Sequence, residues 1–147
     1  MITNQQIIVC TICCRKKDRS DKLLPAIKRY KSKRIDAVAG LAREASLPLA
    51  ILSGKYGLID KDTPIPYYDK LMGEGDLGEI IAANIAFLEK NEIGKVIFLC
   101  PDPAIDPHVQ PYLRSIQAAS RGTGCILETI FVPPFPKFQE ILGKINI

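Results

Sequence analysis

No apolar run in the chain approaches the roughly 18 residues needed to cross a bilayer, so no membrane-spanning helix and no membrane partner are expected. The opening stretch MITNQQIIVC lacks a basic region followed by a long apolar core. No export signal is expected, and the default compartment is the cytoplasm. There the five cysteines should be thiols or metal ligands and not disulfides. Histidine is nearly missing. His108 is the only one, near the start of an expected helix, and it reads as a surface residue. That leaves no convincing Ser-His-Asp arrangement. Cys10, Cys13 and Cys14 have no second Cys-x-x-Cys pair, and a zinc site would have to recruit Cys100 or His108. The phosphate-binding G-x-x-x-x-G-K-[ST] pattern is absent. There is no internal repeat and no sign of a domain boundary.

What is present is globular. The chain has 147 residues, 47% hydrophobic and 24% charged, which suits one domain over 1–147 with a real core. Acidic residues are scarce in its first quarter. Residues 1–34 hold ten Lys and Arg against Asp18 and Asp21, a net +8, and the remainder carries −4. Such a patch is either an electrostatic footprint for phosphate or a solvated helix surface.

Periodicity divides the chain into alternating elements. QIIVCTI at 6–12 reads as a buried strand, followed by the loop CCRKKDRSDK. Leu23 to Tyr30 is expected as a short helix with Pro25 in its first turn. Ser32 caps a second helix from about Lys33 to Ala45, whose apolar set is Ile35, Val38, Ala39, Ala42 and Ala45. PLAILS at 48–53 makes the second strand. A long connection rich in Gly, Pro and Tyr occupies 54–75, and connections of that length are often functional. Asp76 to Glu79 has the capping-box pattern and opens a helix to about Asn91. KVIFLC at 95–100 is the third strand. The turn PDPAIDP leads to a helix from about His108 to Ser120, which the glycines of RGTG end. CILETIFV at 125–132 is the fourth strand. A PPFP break and a short amphipathic stretch with Phe138, Ile141, Leu142 and Ile145 close the chain. Alternation of this kind predicts a three-layer α/β/α fold around a mostly parallel four-stranded sheet. Ligands then sit beyond the carboxyl ends of the strands. That points to the loops Cys10 to Lys17, Ser53 to Asp69 and Pro101 to His108.

Those loops carry the candidate chemistry. In Ser53-Gly54-Lys55-Tyr56-Gly57-Leu58, two glycines let a ligand approach the backbone, lysine offers a charge for phosphate, and tyrosine offers a stacking face. The alternative is a tight turn with a half-buried tyrosine. In Pro64-Ile65-Pro66-Tyr67-Tyr68-Asp69, two prolines stiffen an extended stretch that holds two tyrosines and a carboxylate over the strand ends. Asp69 is the best acid/base or acceptor candidate, and a surface loop pinned by buried rings is the plainer reading. Small buried cysteines explain Cys10, Cys13 and Cys14 better than metal or thiol redox chemistry, although Arg15 and Lys16 would favour a thiolate. Neither metal nor cofactor is expected. Gly73-x-Gly75-x-x-Gly78 has dinucleotide spacing, but no strand feeds it and Glu74 and Asp76 would repel a pyrophosphate.

PAIKRYKSKRI, followed after about ten residues by AILSGKYGLIDKDTPIPYYDKLM, resembles an uncharacterised bacterial domain family. Its pattern is a strand ending in C-x-x-K/R, an A-x-x-x-Y helix start, S-[AG]-K-Y-G-L and a Pro-Tyr-Asp loop. The YaaA peroxide-stress family carries a similar loop. More distantly, the pattern looks like the uracil-DNA-glycosylase-like domain of archaeosine synthase. The resemblance covers about residues 7–72. It marks Cys10, Lys16 or Lys17, Tyr30, Arg34, Ser53, Lys55, Tyr56, Gly57, Tyr68 and Asp69, and implies an α/β domain working near nucleobases or nucleic acid. The loop here reads Pro-Tyr-Tyr-Asp, so either tyrosine can be the match.

Together these readings predict a strand-end cleft for a phosphate-bearing nucleobase ligand, on a small molecule or a nucleic acid. Lys16, Lys17, Arg34 and Lys55 would hold phosphate. Tyr56 and Tyr68 would stack on a base. Asp69 would act in N-glycosidic hydrolysis or base transfer. Three alternatives remain: a non-catalytic nucleic-acid-binding module, a stress-response protein, and a thiol sensor built on an exposed, acidic cysteine.

Overall fold

The β-branched run at the start of the chain forms β1 (Gln6–Ile12), the middle strand of the main sheet. The computed structural model describes residues 6–133; the expected stretch with Phe138 and Ile145 lies outside them. Next come β2 (Leu24–Pro25), α1 (Ala26–Arg29), α2 (Lys33–Glu44), β3 (Leu49–Ser53), β4 (Gly57–Asp60) and β5 (Pro64–Ile65). They are followed by α3 (Leu77–Lys90), β6 (Ile93–Cys100), α4 (Gln110–Thr123) and β7 (Ile126–Phe131). The fold is mixed α/β. Its main sheet has five strands in the order β4-β3-β1-β6-β7, and all are parallel except β4.

The expected four-strand sheet is corrected by β4. It turns back from β3 with Leu58 opposite Leu52, and so takes the first part of the long connection into the sheet. Four residues in GLID are too few for a period-2 signal. A separate two-stranded ribbon pairs β2 with β5, antiparallel. It takes Leu24 and Pro25 out of the expected helix over 23–30, which shortens to α1. Thr63 O and Lys61 O receive the first N–H groups of that short helix, from Ala26 and Ile27.

Two apolar clusters flank the sheet. Ile8, Cys10, Ile12, Val96, Phe98 and Cys100 join Ile80 and Leu88 of α3 and Ile116 and Ala119 of α4. Val9, Ile97 and Leu99 join Val38, Leu41 and Ala42 of α2. Successive residues of β1 and β6 thus serve opposite faces, as the pleat requires. Ser32 caps α2 as expected, its Oγ accepting from Ile35 N–H at 3.2 Å. Gly124 ends α4 in the left-handed conformation, φ +74°. The capping box expected at Asp76 is not made. The Asp76 carboxylate instead accepts from Gly73 N–H and from Lys70 Nζ, in a short 3-10 turn ahead of α3. Among the described residues no helix is long and apolar enough to cross a membrane.

Buried Asn84 joins three elements. Its Oδ1 accepts from Leu58 N–H of β4 at 2.9 Å, and its Nδ2 donates to Ser115 Oγ of α4 at 3.2 Å. Asn84→Ala is expected to cost about 2 kcal/mol, because a buried amide hydrogen left without an acceptor carries its full desolvation cost. Chemical denaturation measures it, and a loss below about 0.5 kcal/mol would show that the bond is replaceable.

Candidate functional site

Beyond the carboxyl end of β1 the chain enters a basic loop, and backbone bonds hold that loop against the segment leading into α2. Asp18 N–H donates to Arg29 O at 2.7 Å, Lys31 N–H donates to Lys16 O at 2.9 Å, and Lys17 pairs with Tyr30. The loop therefore presents its side chains from a fixed backbone. Against it stands the Tyr67 to Asp69 stretch of the long connection. Between them lies an open cleft of about 490 Å³, lined by Arg15, Lys16, Lys17, Arg19, Tyr67 and Asp69. Four cations thus face one carboxylate. None of the four is in an ion pair among the described residues.

Tyr67 is the aromatic face of this cleft. It is 39% exposed, and the Arg19 guanidinium lies 5.7 Å from its ring centroid. Tyr68, the tyrosine expected to stack on a base, is only 6% exposed. Its hydroxyl bonds to those of Tyr30 and Ser53, and Ser53 Oγ accepts from the N–H groups of Lys55 and Tyr56 at 3.1 Å. The rings of Tyr30 and Tyr56 meet Tyr68 edge-on at 6.3 and 5.6 Å. Burial pushes the Tyr30 and Tyr68 hydroxyls well above the ordinary tyrosine range, so both stay neutral and act only as hydrogen-bond partners. The result is a rigid tyrosine platform. Lys17 Nζ lies 4.6 Å and Lys55 Nζ 5.8 Å from the Tyr68 centroid.

The predicted residues therefore separate. Lys16, Lys17 and Asp69 line the cleft. Lys55 and half-buried Tyr56 touch Tyr68 beside it without lining it. Tyr30, Ser53 and Tyr68 form its buried support. Arg34 is turned inward, donating to Thr11 Oγ1, Ile12 O and Cys13 O, so it braces the end of β1 and holds no ligand in the cleft. Cys10 is wholly buried in the core, and burial raises its thiol far above the usual range. Gly54 and Gly57 are also buried and serve packing. A Cβ on Gly54 would lie 2.6 Å from Tyr112 Oη and 3.0 Å from Met72 N. The loop from Pro101 to His108 does not line the cleft, and His108 is exposed.

The thiols offer little to a sensor. Burial raises Cys14, and it pushes Cys100 up to about 12, so both are protonated at neutral pH. Among the described residues, no group of three or more His, Cys, Asp or Glu side chains is arranged to hold a metal ion.

The sequence did not mark Arg15 or Arg19 as ligand contacts, and it left open which of Tyr67 and Tyr68 faces the ligand. Neighbouring residues of an extended stretch point to opposite sides, so one of Tyr67 and Tyr68 had to face outward. Nothing local decides which. No family model, curated protein or solved structure matches this chain.

Proposed function

We propose that this cleft binds a phosphate-bearing ligand that carries a nucleobase. The observation that carries the reading is the set Arg15, Lys16, Lys17 and Arg19, none of them in an ion pair among the described residues and all placed beside exposed Tyr67. The two arginines suit a forked grip on phosphate, and the lysines add point charge. The base stacks on Tyr67, with Arg19 nearby. Asp69, the one carboxylate of the lining, accepts from the base, and activates water for N-glycosidic hydrolysis or takes the proton of an incoming base that displaces the departing one in base transfer. A three-layer architecture, a cytoplasmic site of action and kinship with the YaaA peroxide-stress family belong to the same proposal. The two apolar clusters, one on each face of the sheet, support the architecture.

The rival reading is a nucleic-acid module using the whole basic first quarter. Lys22 and Lys28 are exposed and would belong to it. It loses charge, however, to buried Arg29 and Arg34 and to Lys31, which pairs with Asp18 at 3.7 Å. Binding of a nucleoside 5′-monophosphate by calorimetry separates the two. The Lys16→Gln/Lys17→Gln variant should lose at least tenfold in affinity, since a hydrogen bond to a charged group is worth about 1.5–3 kcal/mol. Lys22→Glu/Lys28→Glu should change it less than threefold. Comparable losses in both, with a steep salt dependence, would favour the extended face. Asp69→Asn tests catalysis. Turnover of nucleosides, nucleotides or damaged DNA should vanish in the variant, and its absence in the unmodified protein would leave binding without chemistry.

A further inference from the structure

Lys55 reaches the site from another part of the chain. It follows β3, whereas Lys17 follows β1, yet both ammonium groups lie over one ring, that of Tyr68. Lys55 Nζ is also 5.3 Å from the Tyr56 centroid, and Lys17 Nζ is 5.9 Å from that of Tyr30. The platform beneath them is braced by the bonds from Tyr68 to Ser53 and Tyr30 and by the N–H groups of Lys55 and Tyr56 on Ser53 Oγ. Neither lysine has a carboxylate partner among the described residues. Two like charges repel, and each cation–π contact at an exposed site returns only about 0.5–1 kcal/mol. An anion spanning both would be attracted by each.

We propose that Lys55 is a second anion subsite beside the cleft, so that the ligand carries two phosphates, one held among Arg15, Lys16 and Lys17 and the other reaching Lys55. This rests on the nucleotide-binding reading and narrows it from a monophosphate to a ligand with two phosphates. The Tyr68 ring is the spacer that joins the two cation sets. Lys55 is exposed, and its backbone N–H would still reach Ser53 in a variant, so its side chain can be changed without disturbing the platform.

The experiment compares a nucleoside 5′-monophosphate, the matching 5′-diphosphate and a 5′-phosphorylated dinucleotide by calorimetry. The second and third ligands carry two phosphates in different connections, and so they separate a pyrophosphate from a strand as the source. The unmodified protein should bind at least one of them tenfold or more tighter than the monophosphate. In Lys55→Gln that preference should fall to threefold or less, with monophosphate affinity unchanged. If the monophosphate binds but no two-phosphate ligand is preferred, or if Lys55→Gln keeps the preference, the second subsite is overturned and the cleft reading stands. If none of the three ligands binds, both fall.

Discussion

Arg29→Met is expected to lower stability by about 3 kcal/mol and to weaken ligand binding in the cleft. The Arg29 guanidinium is completely buried and ties two segments together. Its Nη1 donates to Asp18 O at 2.6 Å and Ser20 O at 2.9 Å, and its Nη2 donates to Lys22 O and to Ile65 O at 3.1 Å. Three of those carbonyls belong to the basic loop, and the fourth belongs to β5, just ahead of Tyr67. One side chain therefore sets the spacing of the two cleft walls. Methionine relieves the cost of burying a charge, including a buried Nε with no partner among the described groups. Against that, it leaves four carbonyls short of a donor, at about 1–3 kcal/mol for each that water cannot reach. The second effect wins, because the apolar replacement gives the carbonyls nothing. Arg29→Lys keeps the charge but not the fork, and should recover only part of the loss. Urea denaturation and hydrogen exchange over Lys17 to Lys22 test this. A stability loss below 1 kcal/mol with unchanged exchange would show that the walls do not depend on the guanidinium.

Gly57→Ala should cost a similar amount, about 3 kcal/mol, for a different reason. Gly57 opens β4 with φ at +75°, a conformation that costs an L-residue roughly 1–2 kcal/mol. Its added Cβ would also lie 2.9 Å from Asn84 Oδ1 and 3.0 Å from Ala83 Cβ. Asn84 cannot retreat without releasing Leu58 N–H and Ser115. Overpacking of this kind adds about 1–3 kcal/mol. Gly75→Ala is the control. No neighbouring atom lies within 4 Å of its added Cβ and its φ is not in the left-handed range, so it should change stability by less than 0.5 kcal/mol. Equal denaturation midpoints for the two variants would refute the steric account.

Local pattern made much of the fold legible. β1, β3, β6 and β7 are apolar runs of strand length, α2 carries its own serine cap, and α4 carries its own glycine stop. Each signal lies within a few residues of the element it specifies, so composition and period suffice to read it. The basic loop was legible as a strand-end loop because it follows parallel β1, whereas the Tyr67 to Asp69 stretch returns to it only after antiparallel β4 and the β2–β5 ribbon.

Long-range contact decided the rest. β4 exists because it can pair with β3 and pack on α3, and Asn84, far along the chain, completes it. Ten basic residues look alike in the first quarter of the chain, yet the fold buries Arg29 and Arg34, pairs Lys31 with Asp18, and leaves Arg15, Lys16, Lys17 and Arg19 to the cleft. Tyr68 goes inward because Ser53 and Tyr30 wait there for its hydroxyl, and Tyr67 is left outside. Sequence by itself determined the four long parallel strands, the three long helices and which loops carry charge, since propensity and periodicity act between near neighbours. Tertiary structure alone decided which charges and rings face a ligand, since that depends on acceptors and packing partners brought in from distant parts of the chain.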